Sequence, residues 1–219
     1  KVAANVTRTS GVYVEILGNG CVIDRCEFTQ YYIAISVGLL GDTMIVNPTV
    51  RNSTFYLPSM AGAGNGGAVQ FLSFSNARFE NNIVAGPALP GTQPYFGLRF
   101  QHGDTGFVTC NNITLHGQAL LIDTPAGSAC YALRFSDTHF DSSHKITGNI
   151  DISSAAIVPA GNIYDATFSN CWFGLSQSLN GLIVSPTGAG AVEGLRIGTS
   201  EFHGNGGAGA LFIGSAVKN

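Results

Sequence analysis

The chain has 219 residues, enough for one elongated domain or two, and only 11% of them are charged, against about 25% in an average soluble domain. A formal net charge of −3 with 10 Lys and Arg in all gives no basic stripe and argues against nucleic-acid binding. Apolar runs such as Tyr31–Leu40 are shorter than the ~18 residues of a membrane span, and 29 Gly with few Lys, Glu and Arg leave little material for exposed helix faces.

The N-terminal KVAANVTRTSG has neither an initiator Met nor an apolar signal core, so the chain is expected to be a fragment, read as one domain over residues 1–219. Five cysteines, Cys21, Cys26, Cys110, Cys130 and Cys171, lack CxxC or His-interleaved spacing. They read as free thiols of a reducing compartment, with no metal site and no cofactor.

From there the chain writes one six-residue phrase seven times. In order the copies are Ile23–Phe28 (IDRCEF), Val50–Phe55 (VRNSTF), Phe74–Phe79 (FSNARF), Val108–Ile113 (VTCNNI), Phe135–Phe140 (FSDTHF), Phe168–Phe173 (FSNCWF) and Ile197–Phe202 (IGTSEF). Their last residues are 27, 24, 34, 27, 33 and 29 residues apart, averaging 29, a period that means stacked units. Residues ahead of the phrase alternate, as in Tyr131–Phe135 and Gly194–Ile197, which is strand periodicity.

The apolar ends of the phrase are five apart, so one unbroken strand would point them to opposite faces and a bend must lie between. It falls on the third residue: Arg25, Asn52, Asn76, Cys110, Asp137, Asn170 or Thr199. Asn and Asp accept the left-handed conformation of a tight corner, whereas Arg25 and Cys110 predict corners built differently. Each copy runs on to another short strand, such as Ala119–Asp123, Gly181–Ser185 or Ala210–Gly214. Two or three short strands per repeat around one corner describe an all-β solenoid of about seven coils.

The Asn-bearing corner, the Phe column, the Gly-rich turns and the period together resemble the right-handed parallel β-helix of the pectin-lyase-like superfamily, over residues 10 to 215. Within it the chain looks most like the central domain of phage tailspikes. That resemblance implies a homotrimer, on a virion or outside the cell, that binds and often cleaves a bacterial surface polysaccharide (capsule or O-antigen). The chain departs from the family's enzymes: it has no Asp cluster of the pectate-lyase kind and no adjacent Asp pair of the polygalacturonase kind.

Stacked coils make columns of the aligned positions. Phe28, Phe55, Phe79, Ile113, Phe140, Phe173 and Phe202 are expected as one inward ladder. The outward strip beside it collects Arg78, Glu80, His139, Asp141, Trp172, Glu201 and His203. Trp172 is a plausible sugar platform, since the apolar face of a sugar ring stacks on aromatics. Asp141 and Glu201, like Glu80 and Asp141, are read as lying two coils apart, roughly 9.6 Å by strand spacing. That suits an inverting glycosidase, whose carboxyls are ~6.5–9.5 Å apart, if the side chains lean together. On a second strip Arg134 and Arg196 share a column with Asp165 set diagonally between them, either an anion-recognising patch or a cross-strand ion pair.

Three functions remain open: a glycan-binding hydrolase, a non-catalytic glycan-binding or structural solenoid, and a lyase with Arg134 or His139 as base. Lesser motifs carry less. Gly64–Gly67 (GNGG) and His203–Gly207 read as tight corners, His102–Gly106 as a projecting turn, and Asn5-Val6-Thr7, Asn52-Ser53-Thr54 and Asn112-Ile113-Thr114 as chance glycosylation patterns.

Overall fold

A computed structural model describes residues 12–29, 31–41, 43–56, 66–86, 95–114, 118–141, 153–174, 180–214 and 217–218. The Asn5-Val6-Thr7 pattern and Gly64 and Asn65 of GNGG lie outside the described residues. Among those described, every regular element is a strand, and the strands form three parallel sheets of eight, eleven and seven. The chain visits the first, second and third sheet in turn, so strands that neighbour each other within a sheet belong to successive coils. The expected parallel β-helix is therefore present.

The third sheet carries one strand per coil: Glu27–Thr29, Thr54–Tyr56, Ile83–Ala85, Asn112–Thr114, His139–Asp141, Trp172–Gly174 and Glu201–His203. Of these seven, the five between the first and the last are bonded to a neighbour on both sides. The first sheet uses the apolar runs, among them Gln118–Ile122, Leu182–Val184 and Ala210–Phe212.

Two columns of left-handed residues shape each coil. One holds Arg25, Asn52, Asn81, Cys110, Asp137, Asn170 and Thr199, with φ between 43° and 56°. The other, five residues earlier, holds Gly20, Asn47, Asn76, Thr105, Ala132, Asp165 and Gly194, with φ between 47° and 69°. Arg25 and Cys110, expected to build different corners, thus adopt the same conformation as the asparagines. The reason is backbone bonding between coils. Each corner N–H donates to a carbonyl of the next coil, from Arg25 to Arg51 at 3.3 Å through Cys110 to Ser136 at 3.2 Å and Asn170 to Gly198 at 3.2 Å. These bonds offset the ~1–2 kcal/mol that a left-handed conformation costs a residue other than Gly, whatever its side chain.

The double corner corrects the third repeat. Val84, not Phe79, pairs with Phe55 and Ile113 in their ladder, at Val84↔Phe55 and Val84↔Ile113. Phe79 pairs with Val50 and Val108 in the second sheet. The phrase of this coil is therefore FENNIV, Phe79–Val84, with its corner at Asn81; FSNARF is the same pattern around the earlier corner, Asn76. With Val84 in place, the spacings 24 and 34 become 29 and 29. His102–Gly106 is also corrected: Gly103–Thr109 is a strand kinked at Thr105, not a projecting turn.

Inside, aromatic rungs stack at both ends of this ladder, on either side of the aliphatic Val84 and Ile113: Phe28 on Phe55 at 5.0 Å, Phe140 on Phe173 at 5.4 Å and Phe173 on Phe202 at 4.9 Å between centroids. Each such pair adds about 0.5–1.5 kcal/mol beyond its burial. Just past the corner a polar column crosses the core edge. Ser53 N–H donates to Asn82 Oδ1 (3.0 Å), Asn82 N–H to Asn111 Oδ1 (2.9 Å), and Cys171 N–H to Ser200 Oγ (3.2 Å). The side chains bond back to strand carbonyls, Asn82 Nδ2 to Val50 O at 3.0 Å and Thr138 Oγ1 to Ser136 O at 2.9 Å. Buried backbone groups need such partners, and Cys26 and Cys171 stand in this column as thiols where other coils use Ser, Thr or Asn.

The outward residues Ser36, Gln70, Ala156 and Ile183 of the first sheet are buried within the single chain. Part of the low charge content thus has a source inside the chain, because these positions are shielded from water, although in the same column Glu15 is exposed and Arg99, Leu121 and Leu211 are half-buried.

Candidate functional site

The third sheet points its first and third residue of each strand outward, since side chains alternate along a strand. Its last three coils form a grid: His139, Trp172 and Glu201 in one column, Asp141, Gly174 and His203 in the next. Trp172 sits at the centre of one column with Gly174 beside it. The indole is half-buried and lies down over Gly174, where an added Cβ would stand 2.9 Å from Cζ2 and 3.0 Å from Cε2 of the ring. No side chain other than hydrogen leaves room for that pose. The His139 ring flanks the indole at 5.3 Å between centroids and 60°, and the His203 ring at 6.2 Å and 30°. Five of the six positions of this grid are thus aromatic or carboxylate, built on strands fixed by the Phe140, Phe173 and Phe202 rungs beneath.

Beside this column runs the corner column, and between them opens a cleft of about 360 Å³ lined by Asp137, His139, Asn170, Trp172, Thr199 and Glu201. Asn170 Nδ2 donates to Asp137 Oδ1 at 2.6 Å, which fixes the carboxylate on the corner wall. Asp137, Asn170 and Thr199 belong to the site and were read only as corners. The signal for them was present, because a corner residue precedes the outward column by two positions in every coil.

Asp141 and Glu201 occupy opposite corners of the grid around the indole. They are two coils apart, as expected, but also two positions apart along the strand. Strand spacing and rise together put their backbones about 12 Å apart, farther than the column alignment implied. The Glu80 and Asp141 pair does not exist: Glu80 pairs with Arg51 and Thr109 in the second sheet. Arg78 likewise leaves the strip, lies 5.3 Å over the Phe107 ring, and bonds Glu80 at 3.1 Å.

Arg78 instead joins the column Arg78, Phe107, Arg134, Thr167, Arg196. Asp165, a left-handed kink residue, reaches both later arginines, with Arg134 Nη2 at 2.5 Å from Oδ2 and Arg196 Nη1 at 2.6 Å from Oδ1. Arg134 also donates to the Asp165 carbonyl. The Arg134 hydrogen bond, with the charges of Arg134 and Arg196, holds the Asp165 carboxyl below its ordinary value. Of the two readings of this strip, the geometry matches the cross-strand ion pair: the two forks share a carboxylate of the chain's own.

No group of three or more His, Cys, Asp or Glu among the described residues could hold a metal ion. No described helix is long and apolar enough to cross a membrane. Burial pushes the Cys171 thiol up to about 11 and that of Cys130 further, so these two are structural sulfurs. Neither protein-family models nor curated proteins nor solved structures give a match to this chain. The parallel β-helix stands on the chain's own structure, and the narrower resemblance to pectin-lyase-like proteins and tailspikes rests on the sequence pattern.

Proposed function

We propose that this β-helix binds a bacterial surface polysaccharide in the cleft beside Trp172, in the manner of a tailspike-type domain. The observation that carries it is the pose of Trp172: an indole laid along a rigid sheet over Gly174, at the edge of an open cleft. An aromatic face parallel to the surface accepts a sugar ring by its apolar side, and Asp137, His139, Asn170 and Glu201 give the hydroxyls hydrogen-bond partners. A linear glycan would run across coils, meeting a repeat of similar spacing.

Hydrolysis is the second reading, favoured by the placement of Asp141 and Glu201 on either side of the indole. Their ~12 Å backbone separation requires both side chains to lean over Trp172 to reach the span of an inverting pair. A lyase using Arg134 is less favoured, because that guanidinium is bonded to Asp165. The tailspike reading also carries a homotrimer displayed on a phage tail or outside a cell.

Trp172 is the single Trp of the chain, so its emission reports occupancy directly. Titration with capsular and O-antigen polysaccharides should change it saturably, and Trp172→Ala should abolish binding measured by calorimetry. Absence of binding to any such glycan would refute the proposal. New reducing ends that vanish in Asp141→Asn and Glu201→Gln would establish hydrolysis, and an unsaturated product would establish a lyase. A monomer by light scattering would remove the trimer.

A further inference from the structure

We infer that the cleft selects sugars carrying a free, protonated amine over neutral and acidic ones. This rests on the glycan reading above and specifies its substrate class. The argument starts from where the charges are. Asp137 stands on one wall and Glu201 beside the indole on the other, and among the described residues neither Lys nor Arg lines the space. The outward face of the whole third sheet repeats the bias: its described strands carry Glu27, Asp141 and Glu201 and no Lys or Arg.

The described cations lie elsewhere, Arg25 at the corner of the first coil and Lys218 in the last strand of the second sheet. Arg51 pairs with Asp24, Arg78 with Glu80, Arg99 with Asp123, and Arg134 and Arg196 with Asp165, all on the first and second sheets. None of these guanidiniums is set to neutralise the cleft. Glu201 is exposed and has no ion-pair partner among the described residues.

An indole face bordered by carboxylates is a cation site on two counts. The ring quadrupole attracts an ammonium placed over it, and a carboxylate accepts a charge-assisted hydrogen bond from the same group. A uronic acid in that position would meet Asp137 and Glu201 with like charge. The Arg134 and Arg196 strip is already closed on Asp165, so acidic sugars find no free counter-charge there either.

The test uses one backbone with three substituents: a cello-oligosaccharide, its 6-amino-6-deoxy derivative and its 6-carboxy derivative. Each is titrated into the full chain at neutral pH, where an alkyl amine is protonated, with Trp172 emission as readout. The amine form should bind roughly tenfold tighter than the neutral one, the carboxylate form weakest, and the preference should shrink with added salt. The pair of substitutions Glu201→Gln and Asp137→Asn should bring the amine-to-neutral ratio toward one. Both should fold, since Glu201 is exposed and Asn already occupies this corner at positions 52, 81 and 170. Equal or tighter binding of the neutral or carboxylate form would overturn the amine preference while leaving glycan binding intact. Failure of all three to bind while a capsular or O-antigen polysaccharide still binds would overturn the amine preference alone, and failure of those polysaccharides as well would overturn both.

Discussion

Gly174→Ala isolates the pose of Trp172 from its chemistry. The new Cβ would lie 2.9, 3.0 and 3.1 Å from Cζ2, Cε2 and Cη2 of the indole, where ordinary contact begins at 3.4 Å, so the ring must lift by at least 0.5 Å or rotate off the sheet. Gly174 has no left-handed φ, so the backbone accepts Ala and the strain falls on the side chain. Holding an aromatic side chain off its rotamer costs about 0.5–1.5 kcal/mol, and the fold should lose about 1 kcal/mol in a urea melt. Because the chain has one Trp, the displacement is read without ambiguity: emission should move to longer wavelength and acrylamide quenching should rise. Glycan affinity should fall about five- to tenfold, as expected for losing most of one ring stack. A folded Gly174→Ala protein with unchanged emission, quenching and affinity would show that the indole does not rest on Gly174, and the platform argument would fail with it.

Three further outcomes are expected. Asn82→Ala leaves the Ser53 N–H and the Val50 carbonyl without their partners in a buried column, and should cost about 2–4 kcal/mol in denaturant unfolding, with Asn82→Ser, the residue used at 53 and 200, recovering part of it; a loss below about 0.5 kcal/mol would contradict the ladder's role. The Asp165 clamp stabilises the fold when ionised, and its carboxyl is held below the ordinary 3.8 by the Arg134 hydrogen bond and the charges of both arginines. Its contribution should be complete above that value and disappear as pH falls through the lower folded one, so the melting points of wild type and Asp165→Asn should converge in strong acid; a constant difference would refute the clamp. Finally, the exposed Cys110 should be alkylated by iodoacetamide in the native protein while Cys130 and Cys171 are spared until unfolding, since burial keeps both as thiols at mildly alkaline pH; peptide mapping distinguishes them.

The period, the corner and the faces are legible in the residues alone. FSNCWF contains the argument in six letters: two apolar ends of odd spacing demand a bend, Asn170 supplies it, and Trp172 is left facing outward. Those are short-range facts, set by alternation along a strand and by the conformations Asn tolerates, so they are legible within one coil. The stacking of one coil on the next was not. Every coil has two left-handed positions five residues apart, and in the second and third coils both are asparagine, so in the third Asn76 and Asn81 offered the same pattern in two registers. Backbone bonds between residues roughly one period apart chose Asn81, and that choice moved Arg78 and Glu80 from the site to another sheet. The same cross-coil geometry set Asp137 across from Glu201 and closed Arg134 and Arg196 on Asp165. These are settled by how the coils meet, because each is a contact between coils, and a sequence column shows which residues are level without showing which of them touch.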